Sequence, residues 1–421
     1  MYDQSFSRSA LERALWKRDF HNVSVATQAA FKELQLTTAQ AAALSHFNGP
    51  TNPLSAFPLR GKQIYRFASL PHELVARKLR SDLRHVTKPT ISGRAKIVGS
   101  LRLLLKEGVP YRIYRLDIKS FYESFSSFDI EERIRSIQSL APLNKGLILT
   151  LLQRHKEVGG TGLPRGLSLS AVLSELMMTS FDQAVSQAND VFYYARYVDD
   201  IFIITSAKEN EADFVSFVAM SLPVGLKLNP QKQSVKLASQ RVSPIKAPGQ
   251  ELELFNFDYL GYNYSICEPV KVGKTQDLQH SRSVHIDIAG TKVRRFKTRI
   301  SRSFIDFIKT SDFALLRDRL KFLTQNFSVY DGKLTKRKLA GIFHSYPDLS
   351  DDAKGLYELD RFLRNAVLTK SGKVFQKSAP MLTGAMKRTL LGLSFAHGHA
   401  NKSFVHFLGT RISEIQKCWM N

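Results

Sequence analysis

The sequence predicts an α+β protein, with strands and helices mixed over the first two thirds and an α-helical C-terminal region after them. Val191 to Thr205 holds two β-branched and aromatic runs around Asp199 and Asp200, the composition of two antiparallel strands meeting at a tight turn. Tyr111 to Ile118 buries alternate apolar positions as a further strand, which ends in Asp117. Between them Leu169, Val172, Leu173, Leu176, Met177, Phe181, Ala184 and Val185 recur at the spacing of one long amphipathic helix.

At 421 residues the chain is long enough for two or three domains, and 43% hydrophobic residues suffice for sizeable cores. Its 61 Lys and Arg against 37 acidic residues, a formal charge of +24, point to a polyanionic partner. Nucleic acid comes first, an anionic membrane surface second. No uncharged apolar run reaches the ~18 residues of a membrane span and the first residues lack signal-peptide character, so a cytoplasmic protein without a membrane partner is expected. Cys267 and Cys418 are too few for a disulfide framework or a cysteine zinc site and read as packing residues.

In chain order, residues 1–85 read as largely helical, a helical region leading into the next domain. Ser7 offers a cap for the segment to Leu15, Thr37 to Leu44 is alanine-rich, and Gly49 to Pro53 is a breaker. Glu73 to Arg84 forms an amphipathic helix with a basic face, which solvation explains as readily as phosphate binding. Residues 86–265 form the central domain. Lys88, Arg94, Lys96 and Arg102 punctuate a stretch suited to gripping phosphates. Asp129 and Glu132 have the spacing of a capping box for a helix holding Ile130, Ile134 and Ile137.

Gly159 to Ser168 is a glycine-rich loop feeding the long helix. Small residues and free amides there suit a ribose, phosphate or base, and an ordinary loop-to-helix entry has the same composition. Asp117 alone reads as a turn residue and gains weight only beside Asp199 and Asp200. Adjacent carboxylates at a hairpin tip repel unless a cation or proton holds them. Residues 266–421 read as helical and basic: Lys292, Arg294, Arg295, Lys297, Arg299 and Arg302 crowd one helix, with Phe296, Ile300, Phe304 and Phe307 interleaved. His155 and His344 read as surface or packing residues.

The series Leu116-Asp117-Ile118-Lys119-Ser120-Phe121-Tyr122, then Gly162-Leu163-Pro164-Arg165-Gly166-Leu167-Ser168, then Tyr197-Val198-Asp199-Asp200 resembles the successive palm motifs of reverse transcriptases. Leu228-Asn229-Pro230-Gln231-Lys232 resembles the fourth palm motif, and Phe257-Asp258-Tyr259-Leu260-Gly261-Tyr262 the primer-grip hairpin. Within the family, the phrases around Asp117 and Arg165 look most like bacterial abortive-infection and defence-associated enzymes. The Gln4-Ser5-Phe6-Ser7 opening and the length resemble the smaller polymerase of their third class. One departure stands out. The family usually has Gln where this chain has Arg165, a longer, permanently charged side chain that cannot accept a hydrogen bond.

The resemblance implies a right-hand polymerase: fingers and palm in α+β, then an α-helical thumb and C-terminal region. It implies RNA-directed DNA synthesis from deoxynucleoside triphosphates with two Mg2+ ions, Mn2+ being the alternative. Asp117, Asp199 and the Ile118 carbonyl would hold the ions, Asp200 would add charge, and Lys232 would lie near the pyrophosphate. Tyr122, beside Phe121, would be the gate under the sugar, with Arg94, Lys96, Arg165 and Gly166 around the nucleotide. Tyr197, Leu260, Gly261, Arg294, Arg295 and Arg299 would hold primer or duplex. The implied partners are an RNA template or structured noncoding RNA, the DNA product and a second reverse transcriptase subunit, in bacterial antiphage defence; self-association stays open. Alternatives are a non-templated or protein-primed DNA polymerase, an RNA polymerase of similar hand shape, and an RNA-binding scaffold without turnover. The three intact aspartates count against the last.

Overall fold

The computed structural model describes residues 2–59, 61–89, 93–239, 252–268, 281–330, 336–369 and 372–420. The chain divides into two compact units, Met1–Gly93 with Val109–Gln240 and Arg94–Gly108 with Arg241–Asn421.

The first unit opens on helices α1 (Arg8–Glu12) and α2 (Gln28–Leu44), a hairpin of β1 (Leu54–Leu59) and β2 (Lys62–Phe67), and helix α3 (Leu70–Thr87). Ser7 caps α1, its hydroxyl accepting from the Ala10 N–H. The hairpin breaks the stretch expected to be largely helical: its strands are short, and Pro58 in β1 hides the strand pattern. The basic face of α3 also departs from expectation, because part of it is not solvated. Arg77 is buried against Asp19 at 2.7 Å and Glu73 at 2.6 Å, and Lys78 against Asp82 at 2.5 Å. Two of those partners lie four residues away on α3 itself, where a helix brings side chains together.

Helix α4 (Arg94–Leu104) belongs to the second unit. The first resumes with β3 (Tyr111–Asp117), α5 (Ser127–Ser136), α6 (Pro142–Glu157), α7 (Ser168–Ser186), β4 (Val191–Tyr197), β5 (Asp200–Thr205), α8 (Glu211–Met220) and β6 (Ser234–Ala238). The cap of α5 is Ser126, which accepts from the Asp129 N–H, so Asp129 sits inside the first turn instead of at the cap. The strands form one antiparallel sheet in the order β4-β5-β3-β6. Helix α7 packs Leu169, Val172, Leu173, Leu176 and Phe181 into the same core as Leu116, Ile201 and Ile203 of the sheet and Ile118 just after β3. Each such side chain contributes about 1.5–3 kcal/mol on burial. Their sum fixes where the strands end, and therefore where the aspartates stand.

In the second unit, α4 is joined by the antiparallel sheet β7 (Leu252–Tyr259), β8 (Tyr262–Glu268) and β9 (Ser283–Ile288). Helices α9 (Gly290–Thr310) and α10 (Phe313–Thr324) follow, then a hairpin of β10 (Asn326–Tyr330) and β11 (Arg337–Gly341). The chain ends in α11 (Ile342–Ser345), α12 (Lys354–Leu368), α13 (Lys373–Ser378), α14 (Gly384–Leu391), α15 (Phe395–Ala400) and α16 (Gly409–Lys417). The region after residue 266 is thus not wholly helical. β9 completes a sheet begun before it, and β10 and β11 are five residues each, too short for a periodic signal to emerge from basic surroundings. Helix α9 does bury Val293, Ile300, Phe304 and Phe307 on one side, as their spacing requires. Cys267 is buried and Cys418 half-buried, and neither is in a disulfide. Among the described residues no helix is long and apolar enough to cross a membrane.

Candidate active site

The β4–β5 hairpin pairs Tyr197 with Asp200 and leaves Val198 and Asp199 as its two-residue turn. On the other side of β5, Asp200 lies directly opposite Asp117, the last residue of β3. Directly opposed residues project to one face of a sheet, with Cβ atoms roughly 4.5–5.5 Å apart. The fold thus brings Asp117 and Asp200 together with Asp199 beside them. It is Val198, not an aspartate, that takes the left-handed conformation, at φ 62°. Propensity favours Asn, Asp or Gly there, and a β-branched residue is strained.

Burial and the neighbouring Asp199 and Asp117 carboxylates push the Asp200 carboxyl up to about 6. Asp199 is raised from its ordinary value too, by burial first and by Asp117 second. Asp117 is held differently: Lys232 donates its ammonium to Oδ1 at 2.8 Å, Asn229 donates its amide to Oδ2 at 3.0 Å, and the Asn229 N–H reaches the Asp117 carbonyl at 2.7 Å. Contact with Asp117 raises the Lys232 pKa and keeps it charged. Among the described residues no three carboxylate, histidine or cysteine side chains already close into a metal cage. The chemistry of the donors nevertheless fits a hard cation: two half-buried carboxylates are raised by burial first and by neighbouring carboxylates after it, and a third already holds an ammonium. Ile118 is buried, its N–H bonded to the Asp199 carbonyl at 3.1 Å.

The glycine-rich loop docks beside this cluster. The Leu163 N–H donates to the Tyr122 carbonyl at 2.8 Å, and a Cβ at Gly162 (φ 59°) would overlap that carbonyl oxygen and lie 2.8 Å from that of Glu123. At Gly166 (φ 102°) a Cβ would come within 2.7 Å of Ile64 Cγ2 and 2.8 Å of the Tyr65 carbonyl oxygen. The chain's own packing therefore explains both glycines. Tyr122 lies edge-on to the buried Phe121, ring centroids 5.3 Å apart, with the Arg165 guanidinium 5.2 Å from its ring centre. Arg165 is not free: Nε and Nη2 donate to the two carboxylate oxygens of Glu123 at 2.7 and 3.0 Å. His155 is buried edge-on to Tyr65, and burial pushes its pKa down to about 4, so it packs as a neutral ring.

In the second unit Leu260 (φ 48°) and Gly261 (φ 85°) form the turn between β7 and β8. Arg94 donates from Nε to the Leu260 carbonyl at 2.8 Å and from Nη1 to that of Ser345 at 2.9 Å, with its guanidinium over Tyr262. Lys96 is exposed on α4, as are Arg294 and Arg295 on α9, while Arg299 is half-buried with its guanidinium 5.2 Å from the centre of the Trp419 ring. Tyr197, in the first unit, is also exposed. Sequence reasoning singled out neither Glu123 nor Arg196. Their partners lie 42, 21 and 14 positions away, so no local pattern announces them.

Residues 79–264 match the family model described as reverse transcriptase (RNA-dependent DNA polymerase). No curated protein matches the chain. An apo telomerase from Candida tropicalis, truncated from its C-terminal domain, is 15% identical over 53% of this chain and 55% of that one, with a TM-score of 0.33. A telomerase from Candida albicans, in complex with a TWJ fragment of telomeric RNA, is 14% identical over 78% of this chain and 61% of that one, with a TM-score of 0.32. The chain thus spans between half and two thirds of these telomerase structures.

Proposed function

We propose that the chain is an RNA-directed DNA polymerase that extends a 3′ end from deoxynucleoside triphosphates. One observation carries the reading: Asp117 faces Asp200 across β3 and β5, with Asp199 next to them at the hairpin tip, inside the stretch that matches the reverse transcriptase family. Oxygen donors of this kind suit Mg2+, or Mn2+ in its place. Two such ions would supply charge neutralisation for the attacking and leaving oxygens. Asp117, Asp199 and the Ile118 carbonyl would hold them, and Asp200 would deepen the negative field. Lys232 would exchange Asp117 for the pyrophosphate, either as proton donor or as counter-charge. The Tyr122 ring would lie under the sugar, where a deoxyribose fits and a 2′-hydroxyl collides. Lys96, Arg294 and Arg295 are exposed and suited to phosphate contacts that hold nucleic acid without reading its bases.

The biological context we assign is bacterial antiphage defence in the cytoplasm, with a structured noncoding RNA and a second reverse transcriptase subunit as partners. Its support is the resemblance of the motif phrases around Asp117 and Arg165, and for RNA the +24 charge. Asp199→Asn tests the chemistry. Loss of one preorganised charge should lower primer extension by about two to three orders of magnitude, while RNA binding in a filter assay persists. Equal extension by variant and wild type would instead make the chain an RNA-binding scaffold.

A further inference from the structure

We infer that Arg196 is a positioning residue for the carboxylate cluster: tied to α7, its guanidinium holds the Val198 carbonyl and so keeps the turn that sets Asp199 beside Asp200. The inference rests on the metal-site reading above. The Arg196 side chain is 3% exposed, so its charge lies almost wholly out of water. Nε and Nη2 donate to Asp182 at 2.8 and 2.7 Å, and Nη2 also to Glu175 at 2.7 Å, both carboxylates being on α7. The Tyr194 hydroxyl steadies Asp182 from β4 at 2.5 Å. Nη1 then reaches the Val198 carbonyl at 3.0 Å.

A buried ion cluster of this kind is a poor way to gain stability, since well-packed apolar side chains serve as well or better. What it does provide is a planar fork of fixed direction, which only Arg supplies. The turn needs such a fixture. Val198 is β-branched at φ 62°, and Asp199 is repelled by Asp117, so both sterics and charge push the tip away from this geometry. Two hydrogen bonds oppose them. Ile118 N–H holds the Asp199 carbonyl, and Arg196 holds that of Val198.

The test is Mn2+ binding to the full metal-free chain, read from the electron paramagnetic resonance of free Mn2+ alongside the unfolding midpoint. Arg196→Lys keeps the charge for α7 but loses the fork, and should weaken Mn2+ binding by about tenfold, the usual worth of a charged hydrogen bond to a buried carbonyl. Glycine adopts a positive φ without strain. Adding Val198→Gly to Arg196→Lys should therefore recover most of the loss, which a merely structural arginine would not allow. If Asp199→Asn leaves Mn2+ binding at the wild-type level, the metal-site reading falls and this inference with it. If Asp199→Asn weakens binding but Arg196→Lys does not, or Val198→Gly fails to rescue it, the positioning role alone is overturned. Should Arg196→Lys not fold, Asp182→Asn loosens the same guanidinium and should show a smaller loss, again relieved by Val198→Gly.

Discussion

Replacing Gly162 by Ala should damage the site from the inside, and by an amount that a neighbouring glycine calibrates. Gly159 and Gly162 both have positive φ, 78° and 59°, but a Cβ at Gly159 would meet nothing within 4 Å. Gly159→Ala therefore incurs only the left-handed backbone penalty, about 1 kcal/mol. At Gly162 the same penalty is joined by overlap with the Tyr122 carbonyl, and Glu123 backbone atoms lie 2.8 Å away. Neither obstacle is a side-chain end that can swing aside. Overpacking against backbone adds about 1–3 kcal/mol, so Gly162→Ala should lose roughly 2–4 kcal/mol. Urea unfolding of both variants in parallel measures the difference. Since the displaced backbone carries Tyr122, surviving enzyme should also discriminate less between ribonucleotides and deoxynucleotides in single-nucleotide incorporation, while Gly159→Ala discriminates as wild type does. Equal destabilisation by the two substitutions would refute the docking of this loop on Tyr122, and unchanged sugar discrimination in Gly162→Ala would refute the proposed gate.

Two other outcomes follow from charge. The Asp200 carboxyl is pushed up to about 6 in the folded protein against an ordinary 3.8, so this group binds its proton more tightly in the metal-free native state than in the unfolded chain. Its contribution to stability falls as pH rises through that window, while His155, lowered to about 4, contributes in the opposite sense; the difference in urea midpoint between wild type and Asp200→Asn, measured in EDTA across the window, should show the Asp200 decline. On α9, replacing exposed Arg294 and Arg295 by Gln should lower the salt dependence of duplex binding by about 0.9 logarithmic units per lost contact. Arg299→Gln should leave that slope unchanged and cost stability of about 0.5–1 kcal/mol instead, because its guanidinium rests on Trp419. Binding titrations across salt concentrations, with a melting curve for each variant, separate the two roles.

What the sequence made legible is what a local period encodes. β3 and β5 lie inside a core on which α7 also packs, so Leu116, Ile118, Ile201 and Ile203 and the stripe from Leu169 to Phe181 had to be apolar at their own spacings. With the strands placed, Asp117 and the Asp199-Asp200 tip fell at strand ends. The identity of the strained residue was not legible. Local preference puts an aspartate at a positive φ, and tertiary bonds from Arg196 and Ile118 impose it on Val198. The strands β1, β2, β9, β10 and β11 escaped notice because short segments show too few alternations, and what makes each a strand is a partner's hydrogen bonds.

Charged residues were the least readable, because a sequence does not say whether an arginine faces water or a carboxylate. Arg77 belongs to a face that composition reads as solvated, yet its partner Asp19 lies 58 positions away. The same reasoning decides the meaning of Arg165. Read alone, Arg in place of Gln adds a permanent positive charge where the nucleotide is expected, which would compete for the aspartates and bias binding toward any anion. In the fold that charge is spent on Glu123, at 2.7 and 3.0 Å through both oxygens. A bidentate pair fixes direction as well as charge, so what the departure adds is a rigid planar group beside the Tyr122 ring. Asp199 still feels the Arg165 charge, which offsets part of the upward push of burial on its carboxyl. Arg165 thus shapes the surroundings of the Tyr122 ring, and the carboxylates that could hold a cation remain Asp117, Asp199 and Asp200.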